Sequence, residues 1–157
     1  MNSVESARES KLAGGRGYGG FFNENSVITK EDVLWMQSAV DLLKEVVEKT
    51  GAVIVISSTW RINHSLKRFK EMFSLYGWED APVIDHTPRT MDGFRGREIN
   101  IWIREQEDFD GLKIYKYVIV DDSSDFFEEQ KKHHFVHTDS VVGLTRYDAD
   151  KMMEILT

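Results

Sequence analysis

Two short stretches carry the residue types that handle phosphoryl groups and cations. The first is Ser57-Ser58-Thr59, followed by Trp60 and Arg61; the second is Asp121-Asp122, with Asp125 four residues after Asp121. Hydroxyls and backbone N–H groups can hold phosphate oxygens, and a guanidinium can bind two of them at once. The same hydroxyls commonly cap a strand end and open a turn, so both readings of Ser57, Ser58 and Arg61 stand. Neighbouring carboxylates repel one another and call for a cation or basic groups. Hard oxygen ligands of this kind suit Mg²⁺, which takes one or two carboxylates and keeps several waters. The alternative for Asp121, Asp122 and Asp125 is a solvated acidic turn helped by Ser123 and Ser124. Arg95 and Arg97 either bring positive charge toward a phosphate or form an exposed basic turn pairing with Glu98.

Other reactive side chains carry less. His133-His134 is not at zinc-helix spacing and has no cysteine near it, which argues against a structural zinc. These two histidines read as surface residues ahead of a strand, with His137 partly buried. Asp85-His86 has the form of half a catalytic dyad, but no nucleophile on a recognisable elbow accompanies it.

The elements that must position these residues follow from periodicity. Thr29 with Asp32 predicts a capped helix start, and Val33, Met36, Val40, Leu43 and Val47 continue at helical spacing to a stop at Gly51. Ala52-Val53-Ile54-Val55-Ile56 is a β-branched run of the kind buried in a parallel sheet, and it ends at Ser57. Ser65 caps a helix bearing Leu66, Phe69, Met72 and Phe73 that ends before Gly77, and Val83-Ile84 reads as a short strand bracketed by Pro82 and Pro88. Glu98 to Glu105 reads as a helix with Ile99, Trp102 and Ile103 on one face. Tyr117 to Val120 is a second buried strand ending in Asp121-Asp122. A polar stretch to His134 follows, then a short strand at Phe135-Val136-His137 and a last helix capped by Thr145 and Asp148. Alternating strands and helices predict right-handed βαβ crossovers and a three-layer α/β fold, with a mostly parallel sheet and helices on both faces. Ligands of such sheets bind beyond the carboxyl ends of the strands, where both candidate stretches fall.

Composition sets the frame. With 157 residues, 41% hydrophobic and 30% charged, the chain is long enough for one domain with a real core. No apolar run approaches the roughly 18 to 20 residues of a membrane span, and no secretory signal is recognisable, so no membrane partner is expected. The absence of cysteine excludes disulfides and thiolate metal sites and fits a cytoplasmic setting. A formal charge of -7 argues against a general nucleic-acid coat but leaves room for a local phosphate pocket. Residues 1–28 differ from the rest: five of the eleven glycines lie between residues 14 and 20, which predicts a flexible segment ahead of an α/β domain over 29–157.

Taken in order, a strand ending in Ser-Ser-Thr-Trp-Arg, the run Arg95-Gly96-Arg97-Glu98-Ile99 to Ile103, the segment Tyr117 to Asp125, and Phe135 to Asp139 followed by Gly143-Leu144-Thr145 resemble the haloacid-dehalogenase-like (HAD) superfamily of phosphohydrolases. Within it, the likeness is to small capless phosphatase-like domains of bacterial, phage and RNA-repair contexts, and it covers roughly residues 29–157. The resemblance implies a HAD-like, Rossmann-like fold and a hydrolase site. Ser57 would bind the transferring phosphoryl group, with Ser58 and Arg61 beside it. Arg95, or alternatively Arg97, would take the place of the family's basic residue, usually a lysine. Asp121 would be the acidic Mg²⁺ ligand, supported through water by Asp122 or Asp125. Phosphoryl transfer needs positioning and charge neutralisation above all, which such a set supplies.

One departure stands out. Members of the superfamily begin with a strand ending in Asp-x-Asp, which supplies the nucleophile and the general acid/base. Here Met1-Asn2-Ser3 reads as though the chain starts just after that motif. The pairs Asp108-Phe109-Asp110 and Asp148-Ala149-Asp150 fall in a polar loop and a helix start. The expectation is therefore a HAD-like sheet with its first strand missing, truncated at the N-terminus, with residues 1–28 as the remnant of a substrate-side flap. The strands ending at Ser57 and Asp121 would then pair directly or accept a strand from another chain.

Two functions follow, and whether the chain is an enzyme stays open between them. One is a Mg²⁺-dependent phosphohydrolase acting on phosphomonoesters, such as nucleotides or nucleic-acid ends, inactive or impaired as written because the nucleophile is absent. The other is a non-catalytic HAD-like domain binding a phosphorylated ligand or a protein partner. Nucleic-acid binding through Arg16-Gly17-Tyr18-Gly19 comes third, since one arginine among glycines is too little charge for a footprint. The sequence leaves the oligomeric state undetermined.

Overall fold

The computed structural model describes residues 26–111, 113, 114 and 116–157. The Gly-rich segment expected to be flexible lies, up to residue 25, outside the described residues, as does Arg16-Gly17-Tyr18-Gly19.

Helix α1 (Lys30–Val33) starts at Thr29, whose backbone N–H donates to the Asp32 carboxylate at 2.8 Å, the capping arrangement read from the sequence. The single helix expected from Thr29 to Gly51 is, however, broken. Leu34 adopts a left-handed conformation with φ 59°, and α2 (Gln37–Thr50) begins anew after Met36. A non-glycine residue in that region carries strain on the order of 1–3 kcal/mol. The break turns Trp35 into the core, where its ring lies 4.8 Å from that of Phe73 and 5.8 Å from that of Tyr76. Gly51 ends α2 at φ 73°, a value that favours glycine.

Strand β1 (Ile54–Ile56) follows, then a 3₁₀ turn (Thr59–Ile62), α3 (Leu66–Leu75) capped by the Ser65 hydroxyl, β2 (Val83–His86) and α4 (Arg95–Asp110). Strand β3 (Ile119–Asp121), α5 (Glu128–His133), β4 (Phe135–His137) and α6 (Arg146–Leu156), capped by the Thr145 hydroxyl, complete the order. The α4 helix is longer at both ends than expected and takes in Asp108-Phe109-Asp110, which the sequence reading placed in a loop. The α5 helix replaces part of a stretch read only as polar.

Both ladders are parallel. β1 pairs with β2, with Ile56 opposite His86, and β3 pairs with β4, with Asp121 opposite His137. The two pairs form separate two-stranded sheets, and among the described residues β1 and β3 do not pair with each other. Direct pairing of the two flanking strands is thereby corrected: each ladder runs to its outer neighbour. The space between β1 and β3 opens into an apolar cleft of about 260 Å³, lined among others by Val53, Val55, Trp102, Ile103 and Ile119.

The alternating side chains of the strands feed two cores. Ile54, Ile56, Val118, Val120 and Val136 join the apolar faces of α2, α3 and α6, while Ile119 and Phe135 meet Ile99, Ile103 and Phe126 on the α4 side. Helices therefore cover both strand faces, the layered α/β arrangement of a HAD-like, Rossmann-type domain. Each fully buried Val, Leu, Ile or Phe contributes about 1.5–3 kcal/mol. No helix among the described residues is long and apolar enough to cross a membrane.

Candidate phosphate and metal site

Chain direction puts the tips of β1 and β3 at the carboxyl edge of their ladders, and the first turn of α4 is pinned to both. At the β1 tip, Ser57 and Ser58 are fully buried. The Ser58 hydroxyl accepts from the Trp60 backbone N–H at 3.2 Å, so it caps the 3₁₀ turn, as the turn-opening alternative has it. Arg61 lies on that turn with its guanidinium buried. Its Nη1 donates to the Ser57 and Ser58 carbonyls, both at 2.9 Å, and its Nε to the Thr87 carbonyl at 3.0 Å. Its Nη2 donates to Glu98 Oε1 at 2.9 Å and to the Pro88 carbonyl at 3.3 Å. The structure thus commits Arg61 to the protein itself: it ties the β1 tip, the loop after β2 and α4 together. Glu98, whose other oxygen accepts from the Thr90 backbone N–H at 2.8 Å, completes that knot.

At the β3 tip the arrangement is electrostatic. Asp121 is fully buried, and Arg95, on the first turn of α4, grips it with two hydrogen bonds: Nη1 to Oδ2 at 2.6 Å and Nη2 to Oδ1 at 2.9 Å. The same guanidinium reaches Asp125, with Nη2 to Oδ1 at 2.9 Å and Nε to Oδ2 at 3.2 Å. The Ser123 backbone N–H donates to Asp121 Oδ1 at 2.8 Å, and its hydroxyl to Asp125 Oδ1 at 3.0 Å, folding the loop back on the strand tip. Asp122 is half-buried, and its carbonyl accepts from His137 Nε2 at 2.9 Å. Contrary to the sequence reading, His137 itself is exposed.

These charges shift one another. Burial pushes the Asp125 carboxyl up, but the Arg95 hydrogen bonds and charge outweigh it, so its pKa falls below the ordinary aspartate value. Burial would lower the Arg95 pKa, and its ion pairs with Asp125 and Asp121 reverse this, holding the guanidinium more firmly protonated than usual. Arg95 and Arg97, offered as alternatives by the sequence, are separated by the structure. Arg95 faces Asp121, whereas Arg97 pairs with Asp92 at 3.0 Å on the outside of the turn.

Close approach of the β3 loop to α4 depends on Gly96. Its N–H donates to the Asp125 carbonyl at 3.1 Å, and a Cβ there would stand 2.9 Å from the backbone of both Phe126 and Phe127. Gln130 completes the seam, donating to the Gly96 carbonyl at 2.9 Å and accepting from the Phe127 N–H at 2.8 Å. Sequence reasoning missed Gly96, Glu98 and Gln130 as positioning residues. The tight run Arg-Gly-Arg-Glu was the available signal.

The other candidates lie elsewhere. Asp85 accepts from the Trp102 indole at 2.8 Å and from the His86 backbone N–H at 2.8 Å, a tether and not a dyad. Asp108 and Asp110 belong to the last turn of α4, and Asp148 and Asp150 to the start of α6, so neither Asp-x-Asp stands at a strand tip.

Whether the donor set suits Mg²⁺ can be judged from its chemistry. No group of three or more His, Asp or Glu side chains among the described residues is arranged to hold a metal. Mg²⁺ asks for less, namely one or two carboxylates with waters. Asp121 and Asp125 are the two carboxylates brought to one guanidinium at the strand tip; both Asp121 oxygens accept from Arg95 and one also from the Ser123 N–H, so they would have to give up part of that grip to take a cation.

A family model described as the HAD domain in Swiss Army Knife RNA repair proteins matches residues 5–149. No curated protein and no solved structure matches the chain. With nearly the whole length covered, the basic, acidic and hydroxyl positions fall inside the match, and the chain belongs to the family of HAD domains found in Swiss Army Knife RNA repair proteins.

Proposed function

We propose that the domain binds phosphomonoesters, specifically nucleotides or nucleic-acid ends, at the carboxyl edge of β1 and β3, as a HAD-like phosphohydrolase site. One observation carries this reading: the first turn of α4 is fixed to the β3 tip by Arg95 and to the β1 tip by Glu98 through Arg61. Ser57 binds a phosphoryl oxygen, and Arg95 balances charge between Asp121, Asp125 and the incoming anion. Asp121, with Asp125 and Asp122 supporting it through water, holds Mg²⁺, which when bound offsets phosphate charge. Arg61 serves as a positioning residue. Three protein carboxylates with one guanidinium leave a net negative site, so a dianionic phosphate needs the extra cation to enter.

A second reading rests on the placement of the two Asp-x-Asp pairs, neither at a strand tip. On it, the described strands supply binding without a nucleophile, and the domain holds a phosphorylated ligand or a protein partner without turning it over. The deciding experiment follows aryl phosphate and a 5′-phosphorylated oligonucleotide with Mg²⁺ and with EDTA. Turnover that needs Mg²⁺, and is lost in Asp121→Asn at a temperature where circular dichroism shows that variant folded, establishes the hydrolase. Saturable phosphate binding without turnover establishes the ligand-binding form of the second reading, and no binding of either probe removes the hydrolase and that form together.

A further inference from the structure

Neither buried arginine of the site has much left to offer a phosphate. A guanidinium carries five N–H donors. Arg61 spends all five: Nε on the Thr87 carbonyl, Nη1 on the Ser57 and Ser58 carbonyls, and Nη2 on the Pro88 carbonyl and Glu98. Arg95 spends four on Asp121 and Asp125, which leaves one on Nη1. At the β1 tip the buried Arg61–Glu98 pair is neutral, and at the β3 tip the carboxylates outnumber Arg95. An anion seated at Ser57 therefore calls for a cation from outside this framework.

Arg89, in the loop between β2 and α4, is placed to supply it. The carbonyl of the peptide joining Pro88 to Arg89 accepts from Arg61 Nη2 at 3.3 Å, and the neighbouring Nη1 donates to the Ser57 carbonyl at 2.9 Å. One guanidinium therefore separates the Arg89 backbone from that of Ser57. The next peptide, joining Arg89 to Thr90, is tied inward as well, its N–H donating to Glu98 Oε2 at 2.8 Å. Both peptides flanking Arg89 are thus pinned at the carboxyl edge, where open α/β sheets take ligands. The Arg89 side chain is exposed, and among the described residues it makes no hydrogen bond, ion pair or ring contact. An extended arginine side chain, with a hydrogen bond at its end, spans as far as the Arg61 guanidinium and the two bonds that bridge Ser57 to Pro88.

We propose that Arg89 is the arm that closes on a phosphoryl group seated at Ser57, an inference that rests on the phosphate site proposed there. Its five N–H groups are uncommitted, and a planar guanidinium takes two phosphate oxygens at once. Oxygens on the β3 side of the group face Arg95 and the carboxylates, and those on the β2 side face Arg89. The two arginines of the β1 edge then divide the work. Arg61 fixes the peptides on either side of the site, and Arg89 carries the charge to the ligand. Closing costs the arm rotamer freedom, so the contact is weaker than one made by a side chain already fixed.

The test uses the full chain in Mg²⁺ buffer with inorganic phosphate as the probe, titrated by calorimetry and followed at the Ser57 amide and Arg89 Nε–Hε NMR signals. Arg104→Ala is the charge control. Arg104 is likewise exposed and makes no such contact, but it lies roughly 14 Å along α4 from Arg95, beyond the screening length of physiological salt. Phosphate should shift both signals. Arg89→Ala, shown folded by circular dichroism, should weaken binding roughly ten-fold, the low end for hydrogen bonds to a charged group, because water competes for an exposed arm. Arg104→Ala should change it less than about two-fold.

Phosphate that shifts the Ser57 amide but binds Arg89→Ala within about two-fold of wild type overturns the arm and leaves the phosphate site standing. Equal loss in Arg89→Ala and Arg104→Ala also overturns it, because net charge alone then accounts for binding. A shift at Arg89 with none at Ser57 would make the arginine an isolated surface contact, removing the arm and the site together. No binding of phosphate to the wild-type chain likewise removes both.

Discussion

Arg95 donates to both carboxylate oxygens of Asp121, at 2.6 and 2.9 Å, across 26 residues of chain and from a helix to a strand tip. Asp121 is fully buried and the Arg95 side chain is 10% exposed, so neither charge can turn to water if the other is removed. Breaking a buried pair by deleting one partner costs about 3–5 kcal/mol. Arg95→Ala and Asp121→Asn should each lower unfolding stability on this scale, and the double variant should lose markedly less than the sum. Urea denaturation of the four proteins in a double-mutant cycle measures the coupling. Additivity within about 0.5 kcal/mol would mean that the pair is not an energetic unit.

Arg61 makes a contrasting case. Its guanidinium serves the carbonyls of Ser57, Ser58, Thr87 and Pro88 together with the Glu98 carboxylate. A lysine carries the same charge but cannot reach that fan of acceptors. Arg61→Lys should therefore lower stability by about 3 kcal/mol, close to the loss from Glu98→Gln. The folded fraction should keep its affinity for inorganic phosphate, read by calorimetry in low urea-free buffer at a temperature where both variants are folded. A stable Arg61→Lys protein with phosphate affinity reduced ten-fold would return Arg61 to the ligand-binding role that the sequence suggested.

Gly96 is held where its missing side chain matters. A Cβ there would lie 2.6 Å from the Gln130 amide oxygen and 2.9 Å from the backbone of Phe126 and Phe127. Gln130 can shift, but the backbone of the 122–127 loop must retreat, taking Asp125 with it. Gly96→Ala should cost about 1–3 kcal/mol, as overpacking does, and should raise amide exchange at Phe126 and Phe127 ahead of the rest of the domain. Unchanged exchange in that loop would show that the seam relaxes elsewhere.

Much of this framework can be read in the sequence because its signals are local. Ser65, Thr145 with Asp148, and Gly51 mark helix ends by hydrogen bonds or backbone conformations that only a few residue types allow, and each occupies that position in the structure. The β-branched runs ending at Ser57 and Asp121 likewise locate two strand tips. The break at Leu34 is hidden because Val33, Met36 and Val40 keep helical spacing across it, while the force that breaks it is the burial of Trp35 against Phe73. The α5 helix is hidden because Glu-Glu-Gln-Lys-Lys-His has no apolar period; its anchor is Gln130 bonded to Gly96, a contact 34 residues away. The role of Arg61 was illegible for a related reason. Four of its partners are backbone carbonyls, which any residue would supply.

Acid should weaken the β3 tip in a definite window. Burial raises the Asp125 pKa, and Arg95 and Ser123 lower it by more, so the folded value sits below the ordinary 3.8. A carboxyl with a depressed folded pKa adds stability that is fully present above its unfolded value and disappears as pH falls through the folded one. The contribution of Asp125 should therefore be constant from neutral pH down to about pH 5, start to fall near the ordinary aspartate value and be gone only once the pH is below the folded one. Its side chain is 40% exposed, so solvent screening keeps the contribution small. Arg95 remains protonated throughout, and its charge facing a neutralised Asp125 is what destabilises the loop. Comparing Tm against pH for wild type and Asp125→Asn checks this. The two curves should be separated above about pH 5 and converge only as the pH falls through the depressed folded pKa, where the wild-type carboxyl becomes neutral like the amide. A separation that persists unchanged into strong acid would mean that Asp125 acts through its shape or hydrogen bonding, and not through its charge against Arg95.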